Sequence, residues 1–265
     1  MPPQSHHTSK RQSATRSDTL RVGARIAATV VWLLMCLLLY TLALPFRRAN
    51  PVPRVFLAGL LPIAGVRLVV IGEPVQARTF LIANHASWLD IPALAGAAGS
   101  AFVAHDGLAG HPVMRFLCRL NRTVFVARHD RASVAAQIRQ VRAALADDGV
   151  LTVFPEGTTG DGRTLLPFKS SLLAAIAGSD TEVTVRPARI DYGADSGEIA
   201  WFGDEPGLAN VLRIFARRHP FAVCVHLLPP LSAEERADRK SIAAAARAAI
   251  EAAAGTESDD QRVAL

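Results

Sequence analysis

Two residues that could support proton transfer lie just past an apolar run at 79–83, within the segment LIANHASWLD at 81–90. His85 and Asp90 are five residues apart, so on one regular helix they would not face each other well. Across a turn from a strand into a helix they could meet, with Asp90 binding one imidazole nitrogen while the other stays free. Such a pair is a base with its orienting group. Considered alone, the two residues are more typical of a capping aspartate beside a hydrogen-bonded histidine.

The sequence offers no nucleophile of its own for this base, because it contains no GxSxG segment of the serine-hydrolase type. We therefore expect the nucleophile to be a hydroxyl or an amine of the substrate. His85 would take the proton of that group as it attacks a thioester.

Three further segments carry residues of the kind that hold polar groups. FPEGTTGDG at 154–162 offers Glu156 beside a glycine-rich loop, whose backbone N–H groups can bind oxyanions. Arg128 follows the end of a predicted strand. Pro187 interrupts another predicted strand, an awkward place unless that strand lies at an edge or contains a bulge. We predict that all three residues converge on His85.

In this order, the four segments resemble the glycerolipid acyltransferase family, typified by 1-acylglycerol-3-phosphate O-acyltransferase. The matching blocks are NHASWLD at 84–90, VFVAR at 124–128, FPEGT at 154–158 and VRPARI at 185–190. NHx4D followed by FPEGT seventy residues later is a specific signal. The likeness covers roughly residues 55–230.

The resemblance implies transfer of a fatty acyl group from an acyl thioester, on coenzyme A or acyl carrier protein, to the free hydroxyl of a lysolipid. His85 would be the general base and Asp90 its partner. Other matching positions would hold the polar head of the acceptor or shape its pocket: Arg128, Glu156, Gly157, Thr158 and Pro187. The resemblance implies no metal and no resident cofactor.

Two departures from the family pattern concern the acceptor head. The third block usually reads EGTR, and here the arginine is replaced by Thr159; the strand after the first block usually ends FVAK, and here it ends in His105. Two cations expected near a phosphate are therefore missing or weakened. Three others remain, Arg128, Arg163 and Lys169, so a phosphate acceptor stays open.

The first acceptor that the resemblance implies is 1-acyl-sn-glycerol-3-phosphate, which would give phosphatidic acid in phospholipid biosynthesis. The EGTTGDG variant resembles bacterial relatives that acylate lyso-ornithine lipid, which is the alternative acceptor. A catalytically silent, membrane-anchored lipid-binding relative is a further alternative, and the intact His85 and Asp90 argue against it. A thioesterase is a third possibility, which differs from an acyltransferase because it transfers the acyl group to water instead of to a lipid.

Twenty-one residues without a charge separate Arg25 from Arg47. A helix over 26–44 would be about 30 Å long, the thickness of a hydrocarbon core. The run ends in LALPFRR and lacks a small-x-small cleavage site, which favours an uncleaved anchor over a signal peptide. A second apolar stretch at 55–66 is too short to span and suits an interfacial or re-entrant segment. We predict a membrane anchor over 26–66.

Positive residues flank both sides of the anchor, so they do not fix its orientation. A helix pair that dips into the cytoplasmic leaflet is our hypothesis. It places the protein at the inner (plasma) membrane, with the catalytic domain on the cytoplasmic side.

The formal net charge of +6 favours anionic partners, but no helix-turn-helix pattern or aromatic-interleaved basic stripe points to nucleic acid. Residues 1–25 form a predicted disordered basic tail, 67–254 the acyltransferase domain and 255–265 a flexible tail. Strands are predicted at 67–72, 79–83, 101–104, 123–127, 150–154, 183–190, 198–202 and 221–227. Helices are predicted at 90–98, 111–120, 131–147, 169–178, 207–218 and 232–253. This alternation predicts an α/β fold, a mainly parallel sheet flanked by helices, after the helical membrane anchor.

Overall fold

The structure is a computed structural model of the chain. It describes residues 16–43, 50–105, 112–126, 134–146, 149–178 and 183–255. Arg128 and the tail after residue 255 lie outside the described residues, and so does most of the predicted basic tail.

Two helices precede the sheet, α1 at Arg16–Ala43 and α2 at Val52–Ala64. The start of α1 lies ten residues before the predicted start at residue 26. The prediction of a disordered tail is therefore wrong for residues 16–25, which are helical.

The early start of α1 has a tertiary cause. Arg21 and Arg25 donate hydrogen bonds to the last carbonyl groups of helix α7 (Gly207–Ala216), at 2.9 Å to Ala216 O and 3.0 Å to Phe215 O. Cations stabilise the carboxyl end of a helix because its last carbonyls have no partner within the helix. The contact could not be predicted from the basic segment itself, because α7 is distant in the chain.

Within the described part of the chain, α1 is the one helix long and apolar enough to cross a membrane. Leu34, Leu38 and Leu42 are each about 60% exposed and repeat every four residues, so they form one apolar stripe along the helix. Such a stripe is unfavourable in water and suits a lipid environment.

Helix α2 packs between α1 and the domain. Trp32 of α1 donates from its indole N–H to Phe56 O of α2, at 3.0 Å. Its ring covers Gly59, where a Cβ atom would lie 2.4 Å from the indole nitrogen. The predicted interfacial segment is thus a helix of 13 residues, too short to span, and its contact with a membrane stays a prediction.

A seven-stranded sheet forms the centre of the domain, in the order β1-β7-β6-β2-β5-β3-β4. The strands are β1 at Val66–Ile71, β2 at Thr79–Ala83, β3 at Ala101–His105, β4 at Val124–Val126, β5 at Val150–Val153, β6 at Thr184–Asp191 and β7 at Phe221–Leu227. Every neighbouring pair is parallel except β6 and β7. The predicted mainly parallel sheet is confirmed.

Helices cover both faces of this sheet. Besides α7, they are α3 at Asp90–Ala98, α4 at Pro112–Leu120, α5 at Val134–Ala146, α6 at Ser196–Ile199 and α8 at Arg239–Ala252. In β2, Leu81 and Ala83 pack into a core with residues of α2, α3 and α7. Phe80 and Ile82 point to the other face, into a core with α5 and α8. Because both faces are buried, β2 is apolar at nearly every position.

Three predicted elements are wrong in type or extent. The run at 198–202, predicted as a strand, begins with the end of the short helix α6, because so short an apolar run fits one helical turn equally well. The helix predicted at 169–178 is a 3₁₀ turn at Leu172–Ala175. The helix predicted from 232 begins at Arg239, where the Asp238 side chain accepts the first backbone amides.

Pro187 lies neither at an edge of the sheet nor at a bulge, the two positions that would ordinarily suit a proline within a strand. It pairs with Ile82 inside the sheet, since β6 lies between β2 and β7. Its carbonyl accepts from Leu228 N at 3.1 Å, so its nitrogen faces the same neighbour, just past the end of β7. An N–H at this position would donate to Leu228 O, so the proline ends the ladder between β6 and β7 at Ala188. Leu228 O accepts instead from the side-chain Nε of Arg186.

Candidate active site

The candidate site lies at the carboxyl edge of the three central strands β6, β2 and β5, which are parallel neighbours. The chain after β2 carries the NHx4D residues, and the chain after β5 carries FPEGT. Parallel strands deliver the segments that follow them to one edge of a sheet. The fold therefore brings two distant sequence blocks together.

His85 and Asp90 are in contact, as predicted. The Nδ1 atom of the imidazole lies 2.8 Å from Asp90 Oδ2. Asp90 has no exposed surface, and the same oxygen accepts backbone N–H groups from Ala86 at 2.7 Å and Ser87 at 2.9 Å. An ionised carboxylate can only accept, so Nδ1 is the ring nitrogen that donates to it, and in the neutral imidazole Nε2 then holds the lone pair. The geometry is that of a base and its orienting group.

Packing fixes the plane of the His85 ring. Phe154 stacks on it with ring centroids 4.0 Å apart and planes 14° apart, and Phe102 stacks behind Phe154 at 6.2 Å. The His85 carbonyl accepts from Gly160 N at 2.8 Å. Both the ring and the backbone of His85 are therefore held by the segment after β5.

Asn84 continues the sheet through its side chain. Its amide nitrogen donates to Ile190 O at 2.9 Å, and its amide oxygen accepts from Ile190 N at 2.7 Å. The side chain thus replaces one backbone pairing between β2 and β6. This lets the main chain leave the sheet and turn His85 towards the site.

Glu156 lies beside His85, as predicted, but both of its oxygens are already occupied. Oε1 accepts from His85 N and Oε2 accepts from Leu166 N, each at 2.8 Å. The residue is 3% exposed, and burial raises the pKa of its carboxyl. Glu156 therefore ties the segment after β2 to the segment after β5. Its predicted contact with an acceptor head stays a prediction.

Gly157 needs the absence of a side chain. Its φ is +71°, in the left-handed region, and a Cβ atom there would lie 2.8 Å from Lys169 Nζ. Thr158 follows and is exposed. The backbone N–H groups of Gly157 and Gly160 already donate to Phe154 O and His85 O, so they are not available to a ligand.

Several cations surround His85. Arg163 and Arg189 line a narrow cavity together with the imidazole, and Lys169 lies against Gly157. Arg189 is buried and pairs with Asp191 at 2.6 Å, whereas the Arg163 side chain is exposed. Arg163 and Lys169 are therefore the site cations within the described residues whose charge can meet a ligand. Pro187 is buried in β6 and is absent from the described lining of that cavity.

Two site residues were not predicted: Tyr192, which lies outside the motifs, and Ser87, which occupies one of the four variable positions of NHx4D. Tyr192 directly follows β6, and its phenol donates a hydrogen bond to Asp90 Oδ1. Burial raises the pKa of the phenol well above its ordinary value, with the Asp90 charge as a second cause. The Ser87 side chain also hydrogen bonds to the phenol. The position of Tyr192 just past an apolar strand was the signal that could have found it.

A second, apolar cavity of about 370 Å³ lies between the two N-terminal helices and the domain. Leu37 of α1, Phe56 of α2 and Trp88 and Phe102 of the domain are among its lining residues. Phe102 stacks on Phe154, which stacks on His85, so the cavity lies close behind the imidazole. Among the described residues, no group of three His, Cys, Asp or Glu side chains could hold a metal ion.

A family model described as Acyltransferase matches residues 67–191. The chain is similar to the lyso-ornithine lipid O-acyltransferase of Rhodobacter capsulatus, with 34% identity over 202 residues, 74% of this chain and 73% of that protein. It is also similar to the 1-acyl-sn-glycerol-3-phosphate acyltransferase of Neisseria gonorrhoeae. That likeness has 31% identity over 125 residues, 42% of this chain and 49% of that protein.

The fold has a counterpart among solved structures. The 1-acyl-sn-glycerophosphate acyltransferase PlsC from Thermotoga maritima superimposes with a TM-score of 0.62 and 22% identity. The match covers 90% of this chain and 96% of that chain, so the likeness in fold extends over most of both chains.

Proposed function

Because the chain belongs to the acyltransferase family of lysolipid enzymes, we propose that it transfers a fatty acyl group from an acyl thioester to the free hydroxyl of a lysolipid. The observation that carries the proposal is the His85–Asp90 pair at the carboxyl edge of the sheet, in which His85 Nε2 has no partner among the described residues. A donor on coenzyme A or on acyl carrier protein would supply the thioester.

In the proposed reaction, His85 Nε2 takes the proton of the acceptor hydroxyl as its oxygen attacks the thioester carbonyl carbon. The new C–O bond gives a tetrahedral oxyanion, and Asp90 stabilises the imidazolium that forms. The C–S bond then breaks, and the imidazolium returns its proton to the thiolate, which leaves as a thiol. General-base catalysis of this kind contributes roughly 10²–10⁴-fold to a rate.

The oxyanion needs hydrogen-bond donors near His85. The backbone N–H groups of Thr158 and Thr159 have no partner among the described residues, whereas those of Gly157 and Gly160 are used within the fold. We assign the two threonine N–H groups to the oxyanion. Preorganised donors of this kind contribute about 10²–10³-fold each.

For the acceptor we propose lyso-ornithine lipid. Ornithine carries a carboxylate and an amine, so its head has a smaller negative charge than a phosphate monoester. A site with Thr159 in place of an arginine suits that head, with Arg163 and Lys169 left to meet the carboxylate. The likeness to the Rhodobacter capsulatus enzyme extends over 202 residues and supports this choice.

The second candidate acceptor is 1-acyl-sn-glycerol-3-phosphate. The similarity to the Neisseria gonorrhoeae enzyme favours it, and so do the same two cations, since Arg163 and Lys169 could also meet a phosphate. The predicted roles of Arg128 and Thr158 in holding the head belong to either acceptor.

The apolar cavity behind His85 would receive the fatty chain. Its lining comes from α1 and α2 as well as from the domain, so a chain could enter from the lipid phase that surrounds α1. This agrees with a protein that works at a membrane, for which we propose the inner membrane and a cytoplasmic catalytic domain.

The full-length protein in detergent or in vesicles tests the proposal. Isotope-labelled acyl-coenzyme A and acyl-(acyl carrier protein) are supplied with lyso-ornithine lipid and with 1-acyl-sn-glycerol-3-phosphate, and products are identified by mass spectrometry. We expect an ester of lyso-ornithine lipid as the main product. His85→Ala should lower the rate at least about a hundredfold. His219→Ala makes the same change at an exposed position and should leave it unchanged. Release of free fatty acid alone would instead indicate a thioesterase.

A further inference from the structure

We propose that Tyr192 is a positioning residue of this site. Its phenol O–H holds the one oxygen of Asp90 that does not bind His85, and so fixes the carboxylate that orients the imidazole. This inference rests on the proposed function for its kinetic consequences, although the contact itself can be tested without activity.

The two oxygens of Asp90 have different partners. Oδ2 accepts from His85 and from the backbone N–H groups of Ala86 and Ser87. Among the described residues, Oδ1 accepts from Tyr192. Because Asp90 has no exposed surface, solvent cannot replace a donor that is removed. The phenol is therefore the group that keeps Oδ1 satisfied.

The phenol is itself held in place from two sides. The Ser87 side chain hydrogen bonds to it, and its ring packs against Phe221 with centroids 6.3 Å apart. Tyr192 is 3% exposed, and its pKa is raised, so it remains protonated and can only act on the carboxylate as a donor. The result is a buried chain of groups from Ser87 through Tyr192 and Asp90 to His85.

Tyr192 is buried and is not among the described residues that line the cavity at His85. Asp90 lies between its phenol and the imidazole. A change at Tyr192 that acts through this chain should therefore alter kcat and leave the KM for the acceptor unchanged. A residue that merely fills space would alter neither once the fold is intact.

Tyr192→Phe is the matched test, because it removes one oxygen and keeps the ring. A hydrogen bond to a buried charge is strong, and we expect kcat to fall about tenfold or more. A carboxylate with fewer donors binds a proton more readily, so the acid limb of kcat/KM should also move to higher pH. Glu156 is electrostatically coupled to His85 and Asp90, and Asp191 acts on Tyr192, while Arg163 and Arg189 line the cavity beside His85.

A double-mutant cycle separates this role from a general effect on packing. If Tyr192 acts through Asp90, then Tyr192→Phe should lower kcat by less than about twofold when Asp90 is already replaced by asparagine. An equal decrease in kcat with Asp90 and with asparagine at that position would show that Tyr192 acts independently of Asp90, and would overturn the proposal. Thermal unfolding of each variant verifies that it is folded.

A readout without turnover tests the contact itself. In protein labelled with ¹⁵N-histidine, the His85 Nδ1–H resonance should move downfield in Tyr192→Phe, because negative charge concentrates on the remaining carboxylate oxygen. An unchanged resonance would contradict the proposal even if the variant is slow. If wild type acylates no lysolipid, the proposed function fails, and the resonance still decides the role of Tyr192.

Discussion

Replacing Glu156 with glutamine tests whether this residue holds the site together or binds the acceptor. Glutamine has the same shape, but one of its two side-chain ends is a donor. In the structure each end faces a backbone N–H, from His85 or from Leu166. One of those N–H groups would therefore lose its acceptor inside a site where Glu156 is only 3% exposed.

The cost of one unsatisfied buried N–H is about 1–3 kcal/mol. For a domain of this size, each kcal/mol lowers Tm by about 2–4 °C, so Glu156→Gln should melt roughly 2–12 °C below wild type. Release of the His85 backbone should also misplace the imidazole. A displacement near 1 Å costs about a hundredfold in rate, so we expect kcat to fall between tenfold and a hundredfold.

Circular dichroism melting and steady-state kinetics on the detergent-solubilised protein measure the two effects. Glu198→Gln is the matched control, since its carboxylate is 76% exposed and contributes at most about 1 kcal/mol. If Glu156→Gln instead keeps the wild-type Tm and kcat and only raises the KM for the acceptor, the residue binds the acceptor head. The positioning role argued from the structure would then be wrong.

The same variant carries a pH signature. Burial raises the pKa of the Glu156 carboxyl, so the folded protein holds this proton more tightly than the unfolded chain does. The resulting stabilisation is fully present below the ordinary carboxyl pKa and is lost as pH rises through the raised value. The Tm difference between wild type and Glu156→Gln should therefore be largest in acid and shrink as pH increases. A difference that grows with pH would contradict this assignment.

Three further predictions concern the acceptor, the fatty chain and the anchor. Thr159→Arg should shift relative kcat/KM towards 1-acyl-sn-glycerol-3-phosphate by roughly ten- to a hundredfold in a competition assay, whereas Thr159→Gln, without the charge, should not. Ala104→Phe should fill part of the apolar cavity and shift the products, analysed by mass spectrometry, towards shorter acyl chains. Deleting residues 1–48 should release much of the protein from membranes, measured by flotation. It should also lower the Tm, because Arg25 no longer binds the last carbonyls of α7. An unchanged Tm would contradict that contact.

Local segments of the site were predictable from the sequence. The strand at 79–83 and the helix at 90–98 have the predicted bounds, and they fix both ends of the segment that carries His85 and Asp90. With its ends fixed, so short a segment leaves few ways for the two side chains to be arranged. Spacing showed that the two side chains could meet across this turn, although considered alone they were more typical of a capping aspartate beside a hydrogen-bonded histidine.

Partners that are distant in the chain were not predictable in the same way. Tyr192 reaches Asp90 from 102 residues away, and the contact depends on β6 lying beside β2. Strand order is not encoded in local periodicity, so the motif suggested Pro187 as the residue of interest on that strand. The contacts of Arg21 and Arg25 with α7 were not predicted for the same reason. A basic segment is predicted to be a solvated tail unless the carbonyl groups that it binds are known.

Most polar groups of the two central motifs are committed to holding backbone in place. Asn84 extends a strand pairing, Glu156 joins two segments, and Asp90 accepts two backbone amides besides the imidazole. His85 differs because its Nδ1 is bound by a carboxylate while its Nε2 meets no partner in the part of the chain that the structure describes. Asn84, Asp90 and Glu156 are each bonded within the protein, so these motif residues form a scaffold that orients His85, while the Thr158 N–H is left for the proposed oxyanion. The choice of acceptor must then reside in residues outside that scaffold, which is why Thr159, Arg163 and Lys169 are the positions at which specificity should change without loss of the chemistry.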